Sequence, residues 1–230
     1  MTNHIAIRIQ HNAYGRDWWA GQMVRMFGVH EKPQLVFDST GNLWESAKRT
    51  LTNYPKGTTH VLLLQDDVLI CDNFMPAVRQ IVDALPDKPI TLFSNRVSIE
   101  NARAAGVHYV QLTKWLMAQT YIMPVSIIDD FIAWAELHIK PSIYFDDNRW
   151  AMYFYYHGMK VWATAPSLVE HIGWNATTLR PYNEAFDRNN RMARWYIGIQ
   201  KSALDIDWHD TRSIEDNEAV TGDFTHYLIP

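Results

Sequence analysis

The run HVLLLQDDVLI, residues 60 to 70, restricts the fold more than any other stretch of the chain. Its first half is apolar without alternation, the pattern of a strand covered on both faces of a parallel sheet. Such a strand needs helices on both sides, and the flanking sequence carries helical and strand patterns in turn. Residues 4–10 alternate, with Ile5, Ile7 and Ile9 on one face. Trp19, Met23, Met26 and Phe27 follow at helical spacing, with Gly28 as a stop. Residues 34–38 form a second strand, and Asn42 caps a helix bearing Leu43, Trp44, Ala47 and Leu51. Phe74, Val78, Ile81, Val82 and Leu85 make an amphipathic helix that ends at Pro86. Strands are expected at 90–93, 109–112, 121–123 and 161–163. Ser126 and Asp129 have capping-box spacing ahead of Phe131, Ile132, Ala135 and Ile139. Trp150, Ala151, Phe154 and Tyr155 share a helix face that Gly158 closes. The expected class is α/β: a Rossmann-like single domain over residues 1–175, with a mostly parallel central sheet flanked by helices. After Gly173 the chain turns polar. Residues 176–230 read as an irregular to helical C-terminal extension, packed on the domain as a lid, with one helix at 189–199.

Composition excludes several classes. With 47% hydrophobic and 20% charged residues among 230, a sizeable core is feasible. A net charge of -4 argues against broad nucleic-acid binding, although a local basic groove stays open. The single cysteine, Cys71, precludes an intramolecular disulfide and makes a reducing, cytoplasmic compartment the expectation. No apolar run approaches the roughly 20 residues of a membrane span, and the first ten residues lack a signal-peptide core. Ten Trp and eleven Tyr suit sugars, bases or a core alike.

Ligands of open α/β sheets sit at the carboxyl ends of strands, and that is where Gln65, Asp66 and Asp67 fall. One Asp there is most often a turn former or cap, as expected of Asp72 and Asn73. Two adjacent acids repel each other and need a cation. A divalent ion with oxygen ligands supplies one, and such ions join carboxylates to substrate phosphates. A second pair, Asp146 and Asp147, opens the helix of Trp150 and Phe154. Capping and the helix dipole explain one of them; the other can serve as a general base. In PSLVEHIG, residues 166 to 173, His171 follows a short strand. A lone His is usually structural, but a neutral imidazole can also complete a metal shell. Glu170 beside it is either its partner or solvated.

Taken in order, HVLLLQDDV, YFDDNRWAMYFYYHGMKVWATAP and PSLVEHIG resemble the GT-A fold glycosyltransferases, and the last motif resembles bacterial and viral transferases of the lipopolysaccharide type. The resemblance covers residues 5 to 173 in outline. It implies a soluble bacterial or phage hexosyl- or pentosyltransferase that uses a nucleotide-diphosphate sugar with Mn2+ or Mg2+. Asp67 then binds the metal, Asp66 contacts the ribose or the metal's shell, and His171 closes that shell. Gln65 stands where the family carries an acid. Asp147 matches the base of inverting enzymes, with Asp146 in reserve. Gln10, His11, Asn12 and Arg16 match the nucleotide-holding region, and Asp38 is placed to recognise base or ribose. Arg188 and Arg191, with Arg194 on the same expected helix face, form a lid clamp on the diphosphate or a grip on an anionic acceptor; Trp195 and Tyr196 offer stacking. Trp115, Gln119 and Tyr121 fall on the acceptor side. That acceptor is a glycan, a lipopolysaccharide, a protein side chain or a hydroxylated base in viral DNA. Two other classes remain in view. One is a nucleotidyltransferase acting on sugar phosphates, disfavoured because Gly15 and Gly21 form no G-x-G pattern. The other is a non-catalytic nucleotide-sugar-binding module.

Overall fold

The computed structural model describes residues 3–11, 16–38, 42–115, 118–143, 145–172, 191–216 and 225–229. In chain order its strands are β1 (Ile5–His11), β2 (Gln34–Phe37), β3 (His60–Gln65), β4 (Val68–Ile70), β5 (Ile90–Thr91), β6 (Tyr109–Leu112), β7 (Thr120–Pro124), β8 (Val161–Thr164), β9 (Val169–His171) and β10 (Ser213–Glu215). The helices are α1 (Asp17–Met26), α2 (Leu43–Leu51), α3 (Phe74–Ala84), α4 (Ser98–Ala105), α5 (Val125–His138) and α6 (Asp146–Tyr156).

Eight strands form one sheet in the order β2-β1-β3-β7-β5-β8-β6-β10, and β4 pairs with β9 apart from it. The class is α/β with helices on both sheet faces. The sheet is mixed: β1 is parallel to β2 and β3, β5 to β8, and β6 to β10. The β3–β7, β5–β7 and β6–β8 pairs are antiparallel. Parallel pairs are thus only a small majority, because β6, β7 and β10 run in reverse. Apolar periodicity reports burial and carries no strand direction.

The unbroken run of β3 has a direct cause. Val61 and Leu63 enter the core that α2, α4, α5 and α6 cover. Leu62 and Leu64 enter the opposite core, under α1 and α3. Asn42 caps α2, its side chain accepting from the Trp44 and Glu45 amides. The capping box at Ser126 does not form: α5 begins at Val125 after Pro124, so Ser126 lies inside the first turn. The helix expected at 189–199 does not continue past Arg191; residues 192–199 are irregular, with Tyr196 bridged to Ser167. That segment is held by tertiary contacts that helical spacing does not reveal. At the chain's end, β10 extends the main sheet beside β6, and Trp208 is buried against Tyr109.

Trp150 anchors α6. It is fully buried and stacks on Phe131 at 3.5 Å and on Phe154 at 5.3 Å between ring centroids. Its indole Nε1 donates to the Tyr121 hydroxyl, 3.2 Å away. Trp150→Ala is expected to remove about 3–5 kcal/mol of stability, the usual cost of deleting a large buried aromatic. The midpoint of a urea titration checks this.

Candidate active site

The site is built at the carboxyl ends of β1, β2 and β3. β3 runs out at Gln65, whose amide donates to the Gln119 carbonyl. Asp66 and Asp67 follow in a two-residue turn before β4, and both are buried, 2% exposed. Around them lies a cleft of about 130 Å³. Its described lining includes Gln10, His11, Arg16, Asp38, Gln65, Asp66, Asp67, Gln119, Asp146, Asp147 and Arg191, eleven of the site candidates singled out from sequence. Leu43, Ala118 and Phe145 line it as well. Asn12 and Arg188 lie outside the described residues.

Charge compensation at the two acids is specific. One Arg16 guanidinium nitrogen lies 3.1 Å from Asp66 Oδ1 and 2.7 Å from Asp67 Oδ2. The cation that adjacent carboxylates require is therefore supplied within the chain. Asp66 Oδ2 meets His11 Nδ1 at 2.7 Å, and His11 Nε2 meets Asp17 at 3.0 Å. Both ring nitrogens of His11 are engaged and the ring is 1% exposed, so His11 holds Asp66 in place where the two line the cleft. Asp17 was not singled out from the sequence, where it reads as an ordinary first-turn acid of a helix.

Asp67 is the more unusual of the pair. Its Oδ2 faces His171 Nε2 at 3.2 Å as well as Arg16, while its Oδ1 is buried with no hydrogen-bond partner. Burial alone would raise its pKa. The His171 hydrogen bond and the charges of His171, Arg16 and Arg191 together outweigh burial and hold it below the usual carboxylate value. The small β4–β9 ladder brings His171 there. It sets His171 opposite Val68, and the Ile172 amide donates to the Asp67 carbonyl. His171 Nδ1 meets the Arg191 carbonyl at 3.0 Å. Glu170, open between partner and solvated in the sequence, accepts from the His171 and Ala193 amides, so it pins residues 191–193 to β9.

The second acidic pair enters from α6. The N-cap residue is Phe145, and no side chain caps this helix end. Asp146 and Asp147 are the first two helical residues, so neither is the N-cap that their position suggested. Asp146 is 8% exposed and its Oδ2 has no partner; Asp147 Oδ1 accepts from the Asn148 amide at 2.8 Å. Burial raises the pKa of both, opposed by the amides of the first turn, and the charge of Asp146 adds to the rise at Asp147. Arg149, not visible as a site residue in the sequence, fixes this helix start. It is 2% exposed and donates to the Ile143, Ala135 and Lys140 carbonyls while lying 4.5 Å over the Trp44 ring.

Several residues considered for the site are used elsewhere. Trp115 and Tyr121 are core, packed edge to face at 5.1 Å, which leaves Gln119 alone of that trio in the cleft. Arg194 pairs with Glu100 on the surface, so it shares no clamp with Arg191. Trp195 packs against one core under Arg103, and Tyr196 against the other.

Among the described residues no three His, Cys, Asp or Glu side chains converge as a metal shell. Asp67 and His171 meet, whereas Asp66 is turned to His11 and Arg16. Two facing ligands and one orphaned, buried carboxylate oxygen fit a divalent ion whose remaining ligands come from a substrate. No helix among the described residues is long and apolar enough to cross a membrane.

The sequence matches no family model and no curated protein. Among solved structures, the chain is similar to a mutant of Drosophila β1,4-galactosyltransferase 7 in complex with manganese, UDP-Gal and xylobiose. The TM-score is 0.45 at 8% identity, over 89% of this chain and 84% of that one. The catalytic domain of the same Drosophila enzyme with xylobiose gives a TM-score of 0.40 at 10% identity, over the same shares of the two chains. Similarity at this level transfers no residue roles.

Proposed function

We propose that this chain is a metal-dependent glycosyltransferase of GT-A-like architecture, moving a sugar from a nucleotide-diphosphate sugar to a glycan hydroxyl. One observation carries the reading. Two acidic pairs from different elements, with Asp66, Asp67 and Asp146 buried and Asp147 half-buried, face a single cleft at the carboxyl end of the sheet, and each pair holds a buried carboxylate oxygen without a partner. Such oxygens are costly to bury unless something binds them.

The pairs divide the work. Asp67 and His171 would hold a divalent ion, which when bound offsets negative charge on a leaving diphosphate. Arg16 and Arg191 line the same wall and supply charge-assisted donors to phosphate oxygens. His11 keeps Asp66 turned to Arg16, which sets the guanidinium's place. Asp147 takes the proton of the attacking hydroxyl, and the reaction inverts the anomeric centre. The volume of 130 Å³ is below the roughly 300–1,000 Å³ of pockets that enclose whole small ligands. It therefore suits the diphosphate and the reacting carbon, with the nucleoside reaching outward past Asp38.

A second reading rests on Arg16. Because its guanidinium already bridges the two acids, transfer without a metal, with Arg16 and Arg191 as the only countercharges, is chemically coherent. Incubating the protein with UDP-, GDP- and CMP-sugars, with Mn2+ or with EDTA, separates the readings. Release of nucleoside diphosphate only with metal is expected. Equal release in EDTA selects the Arg16 reading. Pyrophosphate chemistry, or no turnover of any donor, overturns both.

A further inference from the structure

A larger cavity, about 580 Å³, opens at the other end of the sheet, among the amino-terminal ends of β1, β2 and β3. β1 separates it from the acidic cleft: Arg8 lines this cavity, while Gln10 and His11 line the cleft. The cavity exists because β2 is short. β2 begins opposite Arg8, so no β2 residue stands beside Ile5, Ala6 or Ile7, and that flank of β1 opens into the cavity. Loops complete the walls, with His30, Glu31 and Lys32 from one and Lys56, Gly57 and Thr58 from another.

The charge of this wall departs from that of the chain. Arg8, Lys32, Lys56 and Arg79 face the cavity against one carboxylate, Glu31, in a protein of net charge -4. Glu31 is paired with Arg79. Lys32 and Lys56 are exposed, and Arg8, within a strand, is 2% exposed. Arg8 donates to the Gln34 side chain and, at 2.9 Å, to the Thr52 carbonyl. Its Nε is buried without a partner, and none of the ion pairs among the described residues includes it. Thr52 is the C-cap of α2, so the helix dipole offsets part of this charge. An arginine does not lose its proton in proteins, so Arg8 brings to this wall a positive charge and an N–H without a partner.

We propose that this cavity is a second binding site, separate from the acidic cleft, for a small phosphate-bearing anion. Arg8 receives the anion, and Lys32 and Lys56 close over it from two loops. Oxyanions accept several donors at once, which suits an arginine fork with two ammonium groups.

The test is calorimetric titration of inorganic phosphate, pyrophosphate and a sugar 1-phosphate into the metal-free chain and four variants. The Lys32→Ala/Lys56→Ala pair alters only exposed side chains and is expected to weaken binding by about tenfold or more. Arg8→Gln is expected to do the same, with circular dichroism reporting its fold. Arg16→Ala and Asp67→Asn, which alter the acidic cleft, are expected to leave this affinity unchanged. Preference for the sugar phosphate over inorganic phosphate marks a metabolite site; equal affinity marks a phosphate site. Unchanged binding in the double-lysine variant, or loss only with Arg16→Ala, overturns the proposal. Donor turnover is measured separately, so failure here is distinguishable from failure of the transferase reading.

Discussion

Asp67→Asn is expected to reduce metal-dependent donor turnover by about 10³-fold or more, the scale of losing a group that offsets charge in a transition state. Asparagine keeps the shape of the side chain but not its charge. Alanine is the harsher change, since it leaves the Arg16 and His171 faces of the site without their shared carboxylate oxygen. Breaking a buried pair from one side costs about 3–5 kcal/mol, so Asp67→Ala confounds stability with chemistry, and the asparagine variant is the informative one. Its Mn2+ dependence should vanish together with its activity. Full turnover by Asp67→Asn with Mn2+ present would sink the metal assignment. His171→Ala is expected to raise the Mn2+ concentration needed for half-maximal activity, because the imidazole faces the same oxygen.

Asp147→Asn should separate binding from chemistry. The loss expected in kcat is about 10²–10⁴-fold, the range for removing a general base, while donor affinity stays near that of the parent chain. The pH dependence follows from burial. Asp147 is raised above the ordinary carboxylate value by burial and then by the charge of Asp146, with Arg191 and the first-turn amides opposing. A base must be ionised, so kcat should climb with pH through this raised pKa, later than an ordinary carboxylate would allow. The two acids titrate as a pair, and the profile reports both.

Stability gives an independent readout with the opposite sign. A carboxyl whose folded pKa lies above its unfolded one favours folding below the unfolded value. That contribution is lost as pH rises through the folded value. The ionised pair therefore strains the fold near neutrality. Asp147→Asn, which relieves one charge, is expected to melt higher than the parent chain at pH 8 and to lose that advantage at pH 4. A lower melting temperature at both pH values would assign Asp147 to structure, as a first-turn helix residue and nothing more.

Much of this site was legible as residue types in order. An apolar strand ending in Asp66 and Asp67, an acidic pair opening an aromatic helix, and a histidine after a short strand can each be read locally. Each depends on periodicity or on a helix start. Local reading did not supply the partners that long-range contacts decide. Arg16 precedes α1 as an ordinary loop cation, yet it bridges two acids 50 residues away. His11 reads as a ligand-facing residue at a strand end, yet both its nitrogens are taken by Asp66 and Asp17. Trp115 and Tyr121 read as acceptor-side residues and Trp195 as a stacking surface, yet the first two lie in the core and the third packs against it.

By itself the sequence determined which strand is covered on both faces, the cap of α2 at Asn42, and that four acids lie at helix and strand ends. These follow from spacing and polarity, which act within a few residues. Only the tertiary structure decided how the acids are shared out. It turned Asp66 to His11, set Asp67 between Arg16 and His171, and brought α6 across the sheet so that Asp146 and Asp147 face the same cleft. The first two choices rest on ion pairs between segments far apart in the chain, the third on the packing of Trp150 into the core, and the energies of both depend on burial and approach rather than on sequence neighbours.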